Sequence, residues 1–132
     1  FKEIQHPVEV LFFANRNNAE VSEFSARMLT EVGAVDERIA IGLYDIETDH
    51  ELAKQYRVDK APGFVILGRE PDGSRIDFGV RFAGFPGNYE FTSFINDLML
   101  VSRRESGLKQ ATKEALAALK EPLHLMVFVT PT

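Results

Sequence analysis

The sequence contains no cysteine among its 132 residues. That absence excludes disulfide staples, thiolate metal sites and thiol catalysis by these residues, whichever compartment holds them. No apolar run approaches the ~20 residues that a membrane-spanning helix needs, so no membrane partner is expected. Positive charge is also scarce: 15 basic residues face 20 acidic ones, for a net charge of -5. The basic residues are dispersed, so the footprint of a nucleic-acid partner is missing. No charged segment followed by a long apolar stretch opens the chain, so no secretory signal is read and the expected location is the cytoplasm. The chain starts at Phe1 and ends in "VFVTPT", and both ends look cut.

What is present describes one compact domain. A hydrophobic content of 45% with eleven phenylalanines can fill a real core at this length. "VEVLFF", Val8 to Phe13, is a short apolar run of strand formers entered through Pro7. Asn17 followed by Glu20 has the spacing of a capping box, and Val21, Phe24, Met28 and Val32 recur at helical spacing up to Gly33 as a terminator. "RIAIGLYDI" from Arg38 predicts a second strand, and "DHELAKQYRV" a short helix capped by Asp49. Phe64 to Leu67 predicts a third strand, which the turn "EPDG" joins to the antiparallel "RIDFGVRFAG". After "FPGN", one helical face carries Phe91, Phe94, Ile95, Leu98 and Val101. A further helix carries Leu108, Ala111, Ala115, Leu116 and Leu119 and stops before Pro122, and "LHLMVFV", Leu123 to Val129, predicts a fifth strand. "EPLHLMVFVT" echoes "HPVEVLFFAN", as though a second copy of the same unit begins at Pro122.

Strand, helix, strand, helix, hairpin and helix make an α/β fold with a mixed four-stranded sheet flanked by helices. This order has thioredoxin topology. "VDKAPGFVIL" resembles the thioredoxin-superfamily segment in which a short helix leads to a cis-proline at a strand start. The residues alone leave a trans proline open, since only about 5% of such bonds are cis. The resemblance implies cis at Pro62, with Ala61, Pro62 and Gly63 as peptide-binding candidates. With Gly79-Val80-Arg81-Phe82-Ala83-Gly84, Pro86 and Glu90-Phe91-Thr92, almost the entire chain resembles the N-terminal unit of tandem thioredoxin-fold proteins. These are the glutaredoxin-like protein disulfide oxidoreductases and the related N-terminal domain of the alkyl hydroperoxide reductase flavoprotein.

The resemblance implies a division into residues 1–107, a thioredoxin-like unit, and residues 108–132, a connecting helix and the first strand of a second unit. It places a lost Cys-x-x-Cys near Ala19, Glu20, Val21 and Ser22, at a helix start that would favour a thiolate. An alcohol at Ser22 has no comparable chemistry near neutral pH, so no catalytic residue is assigned and the unit is expected to be redox-silent. The longer parent is expected to be the oxidoreductase. The implied partners are a C-terminal second unit and protein substrates. The alternative is a stand-alone peptide-binding or dimerisation module, against which an unpaired Leu123 to Val129 speaks; were the short chain stable alone, that strand would invite a homodimer.

Other chemistries find little support in the residues. Asn15, Asn17, Asn18 and Arg16 could hold an anion at a helix start or serve as turn and capping residues. His6, His50 and His124 show no ligand spacing, and Asp45, Glu47, Asp49 and Glu51 lack the glycine and terminal glutamate of an EF-hand, so no metal is assigned. Gly84, Pro86 and Gly87 resemble no phosphate cradle, and no cofactor is expected. Phe85 and Tyr89 are the aromatic candidates for a contact between units.

Overall fold

The computed structural model describes residues 4–129. Its elements are β1 (Val8–Ala14), a 3-10 turn (Arg16–Asn18), α1 (Ala19–Val35), β2 (Ile39–Asp45), α2 (His50–Gln55), β3 (Gly63–Arg69), β4 (Arg75–Ala83), α3 (Tyr89–Arg103) and α4 (Gln110–Ala117). The sheet order is β2-β1-β3-β4, with β1 parallel to β2 and antiparallel to β3, and β3 antiparallel to β4.

The two central strands are apolar almost throughout because both of their faces are covered. On one face Val8, Val10, Phe12, Phe64 and Ile66 pack with Leu29 and Val32 of α1 and Phe94, Leu98 and Val101 of α3. On the other, Leu11, Phe13, Val65 and Leu67 meet Ala53 and Tyr56 in and beside α2. Each of these large side chains contributes about 1.5–3 kcal/mol by leaving water. Phe94 sits edge-on to both Phe64 and Phe82, which fixes α3 over β3 and β4.

Several local expectations are corrected. The fifth strand does not form: residues 118–129 pair with no strand, and Leu123, Leu125, Met126, Val127, Phe128 and Val129 are all exposed. Strand propensity expresses itself only against a partner edge, and neither sheet edge receives this segment. α1 does not end at Gly33 but continues to Val35. Gly33 is there because a Cβ on it would lie 2.9 Å from Ile41 Cγ1, so the helix can approach β2 closely. The buried row of α1 is Ser22, Ser25, Leu29 and Val32, while Val21 and Phe24 are exposed. On α3, Phe91 lies at the exposed rim.

Both expected caps are also redirected. Asn15, not Asn17, accepts a bond from the Asn17 N–H at 2.8 Å and starts the 3-10 turn that leads into α1. Asp49 precedes α2 without capping it, because its carboxylate accepts the Asp45 N–H at 2.8 Å. Asp45 in turn accepts from the N–H groups of Thr48 and Glu47, which hold its carboxyl below the usual carboxylate range. The acidic joint is thus a backbone-bonded turn.

Candidate functional site

The site lies where β1 runs into α1 and the loop before β3 comes alongside. Ala19, the first residue of α1, is exposed, and Ser22, one turn on, is buried. The Ser22 hydroxyl lies 3.3 Å from both the N–H and the carbonyl oxygen of Asn15, accepting from one and donating to the other. Ser22 therefore ties the helix to the end of β1. Arg16 beside it pairs with Asp45 at 3.6 Å. Asn15 and Arg16 are thus engaged in turn and pairing duties. No thiol is present, and a serine hydroxyl used in this way has no comparable nucleophilic chemistry near neutral pH.

The second half of the site is the loop Lys60 to Gly63, with a cis peptide bond between Ala61 and Pro62. Pro62 and Gly63 are buried, Ala61 half-buried. Gly63 opens β3 and pairs with Phe13 and Ala83, and the Pro62 carbonyl accepts the Gly84 N–H at 2.8 Å. Of the three peptide-binding candidates, then, Ala61 alone has a backbone N–H and carbonyl without a hydrogen-bond partner among the described residues. Gly63 is required by close packing, since a Cβ there would lie 2.5 Å from the Lys60 carbonyl oxygen and 2.7 Å from Val58 Cγ1.

Aromatic and charged groups frame this surface. Phe85 packs edge-on against Phe24, ring centroids 5.0 Å apart, whereas Tyr89 is 84% exposed with no ring partner among the described residues. The sequence reading missed Phe24 because it placed that residue on the buried stripe. On the other side a cavity of about 140 Å³ is lined by Arg57, Val58, Asp59, Lys60, Phe64, Arg81, Phe82 and Ala83. Arg81 bonds Asp77 through two nitrogens, at 2.7 and 3.0 Å, and its Nε donates to the Tyr56 carbonyl at 2.8 Å. The Arg81 guanidinium, helped by the Gly79 N–H, holds the Asp77 carboxyl below its ordinary range. Among the described residues no cluster of three or more His, Asp or Glu could hold a metal ion, and no helix is long and apolar enough to cross a membrane.

This architecture defines a thioredoxin-like α/β fold, a mixed four-stranded sheet flanked by helices. No protein-family model and no curated protein sequence matches the chain. Solved structures do. The chain is similar to a protein disulfide oxidoreductase from Aeropyrum pernix K1, with 27% identity and a TM-score of 0.75 over 90% of this chain and 50% of that one. It is similar also to the NTD N/C domain of the alkylhydroperoxide reductase AhpF of Enterococcus faecalis V583, with 23% identity and a TM-score of 0.77 over 92% and 56%. A Trichomonas vaginalis thioredoxin matches at 13% identity and a TM-score of 0.55, over 74% and 80%. The chain thus spans about half the length of the first two, and it contains no cysteine.

Proposed function

We propose that this chain is the redox-silent thioredoxin-fold unit of a thiol-disulfide oxidoreductase, in which it positions protein substrate while a second thioredoxin-like unit supplies the thiols. The observation that carries the reading is Ser22. On the reading that a lost Cys-x-x-Cys frame spans Ala19 to Ser22, Ser22 is buried, as a resolving thiol would be, and Ala19 is exposed, as an attacking thiol would be. The helix start that would stabilise a thiolate is in place without the sulfur. Ala61, with its backbone groups unpaired among the described residues, offers an extended peptide the main-chain bonds of a short added strand.

Grafting the missing chemistry tests this reading. Insulin reduction by dithiothreitol should proceed at the uncatalysed rate with the natural chain. It should accelerate with the double variant Ala19→Cys, Ser22→Cys, whose first thiol should titrate below the ordinary ~8.5. Catalysis by the natural chain would sink the silent reading. A folded graft with two free thiols and no activity would show that the scaffold does not support the exchange.

The exposed apolar run Leu123 to Val129 is proposed as the contact to the second unit, or to a second copy of this chain when that unit is absent. Sedimentation equilibrium separates these. Dimerisation that rises with concentration and disappears in Val127→Asp supports self-association, and a monomer at every concentration removes the homodimer.

A further inference from the structure

Arg57 occupies an unfavourable backbone position. It follows α2 at φ +56°, its N–H donating to the Lys54 carbonyl at 3.1 Å, in the left-handed conformation that helices usually give to glycine. A side chain there costs about 1 kcal/mol relative to glycine, so the sequence retains a guanidinium where backbone energetics favour its absence. Among the described residues the Arg57 side chain makes no hydrogen bond or ion pair, although its charge acts on Asp77. Lys60 is exposed and makes neither kind of contact among the described residues. Strain at a non-glycine residue is a reason to look for a binding role.

The surroundings say what would bind. Arg57, Lys60 and Arg81 line the 140 Å³ cavity with Asp59 as its one acidic residue. Arg57 and Arg81 also line the adjoining groove along Gln55, Asp77, Phe78 and Gly79. Arg81 is neutralised by its bonds to Asp77, which leaves Arg57 and Lys60 as cations without a bonded counter-ion. In a chain of net charge -5, this is a local reversal of sign. It lies on the loop that carries Ala61.

We infer that this cavity selects an acidic side chain in an extended protein segment bound at Ala61, Arg57 and Lys60 facing the carboxylate. The inference rests on the peptide-positioning role proposed above and adds a substrate class to it: segments with Asp or Glu beside the docked residue. Arg57 and Lys60 are specificity determinants, with no part in bond breaking. The carboxylate oxygens accept from the guanidinium and ammonium groups, and because Arg57 and Lys60 are exposed the pairing has the modest strength of a surface ion pair.

The test uses the full chain and three short unstructured peptides, identical except for a central Glu, Ala or Lys, with fluorescence anisotropy as the readout. The Glu peptide should bind about fivefold tighter than the Ala peptide, and the Lys peptide more weakly than both. Raising the salt concentration should compress the three affinities together, because exposed charges are screened. Arg57→Gly is the decisive variant, since glycine suits the left-handed position and should leave the fold as stable as before or more so. It should lose the preference for Glu while still binding the Ala peptide, and Lys60→Gln should weaken the preference in part. Equal affinity for the three peptides overturns the acidic selection alone. Failure to bind any of them removes the peptide-positioning role and this inference with it. Retention of the Glu preference in a folded Arg57→Gly, Lys60→Gln double variant also overturns it.

Discussion

Substituting Gly33 by alanine sets two known effects against each other. Inside a helix alanine is better than glycine by about 1 kcal/mol, and less so near the last turn, where Gly33 lies two residues before the end of α1. Against this, the new Cβ would stand 2.9 Å from Ile41 Cγ1 and 3.6 Å from the Ile39 carbonyl oxygen. Cγ1 is at the branch of a β-branched side chain, so it moves only if χ1 leaves its preferred well. Overpacking of this kind costs about 1–3 kcal/mol. The clash wins, and Gly33→Ala should destabilise by about 0.5–2 kcal/mol. Ile41→Ala alone should cost about 2 kcal/mol, the low end for a large-to-small change, because Ile41 is only partly buried. In the Gly33→Ala background it should cost at least ~1 kcal/mol less, because it also removes the obstructing atom. Urea denaturation followed by far-ultraviolet circular dichroism measures all four corners of the cycle. A stabilised Gly33→Ala, or strict additivity of the two changes, would refute the close-approach account.

Arg75→Ala strips the bidentate partner, at 2.7 and 2.8 Å, from Glu9, a carboxylate only 8% exposed. Leaving a buried charge unpaired costs about 3–5 kcal/mol; the partial exposure of Arg75 brings the expected loss to about 2 kcal/mol, partly restored by Glu9→Gln, and a loss under ~0.5 kcal/mol would contradict the pairing. Asp36 supplies an acid-sensitive term. The Arg38 side chain and then its N–H lower the Asp36 carboxyl from 3.8 to about 2, so its stabilisation is complete above the ordinary value and lost as pH falls from 3.8 toward 2. Asp36→Asn should flatten that stretch of the acid limb, and an unchanged limb would remove the assignment. Asp97 has the opposite sign, since burial raises its carboxyl. Asp97→Asn should raise the urea midpoint at neutral pH and have no effect well below the ordinary carboxylate pKa; a lowered midpoint at neutral pH would count against it.

The sheet was legible because β1 and β3 are buried on both faces and read as unbroken apolar runs. The face of α1 was not. Val21, Phe24, Met28 and Val32 keep helical spacing about as well as Ser22, Ser25, Leu29 and Val32, yet the second row is buried. Hydrophobicity cannot rank a row that starts with two serines above one that starts with Val and Phe. Hydrogen bonding can, because Ser25 donates to the Val21 carbonyl at 2.7 Å and Ser22 bonds the backbone of Asn15, so neither hydroxyl is buried unsatisfied. The caps failed for a related reason, as Asn and Asp have several local backbone partners and the pattern alone does not choose among them. Leu123 to Val129 reads as a strand by composition, but strand formation is decided by an edge that local sequence does not contain.

The two sheet edges sharpen the question of what that segment meets. β4 opposes Ile66 with Val80 and Leu67 with Asp77, so Phe78 and Gly79 form a bulge, and Arg75, Asp77 and Arg81 place charges along the strand. Bulges and charges are the devices that keep an edge from pairing with a stray strand. β2, "IAIGLYD", has an unbroken register with β1, no charge before Asp45, and Leu43 55% exposed. One edge is therefore defended and the other is not. The defended edge is the one beside Arg57, Lys60 and Ala61, where a bound segment has to be held by side-chain charge and a few backbone groups of the loop. α1 carries no thiol in this chain, but among the described residues the loop opposite has an unpaired backbone at Ala61 and two cations without a bonded counter-ion, which are the groups that the proposed selectivity between bound segments uses.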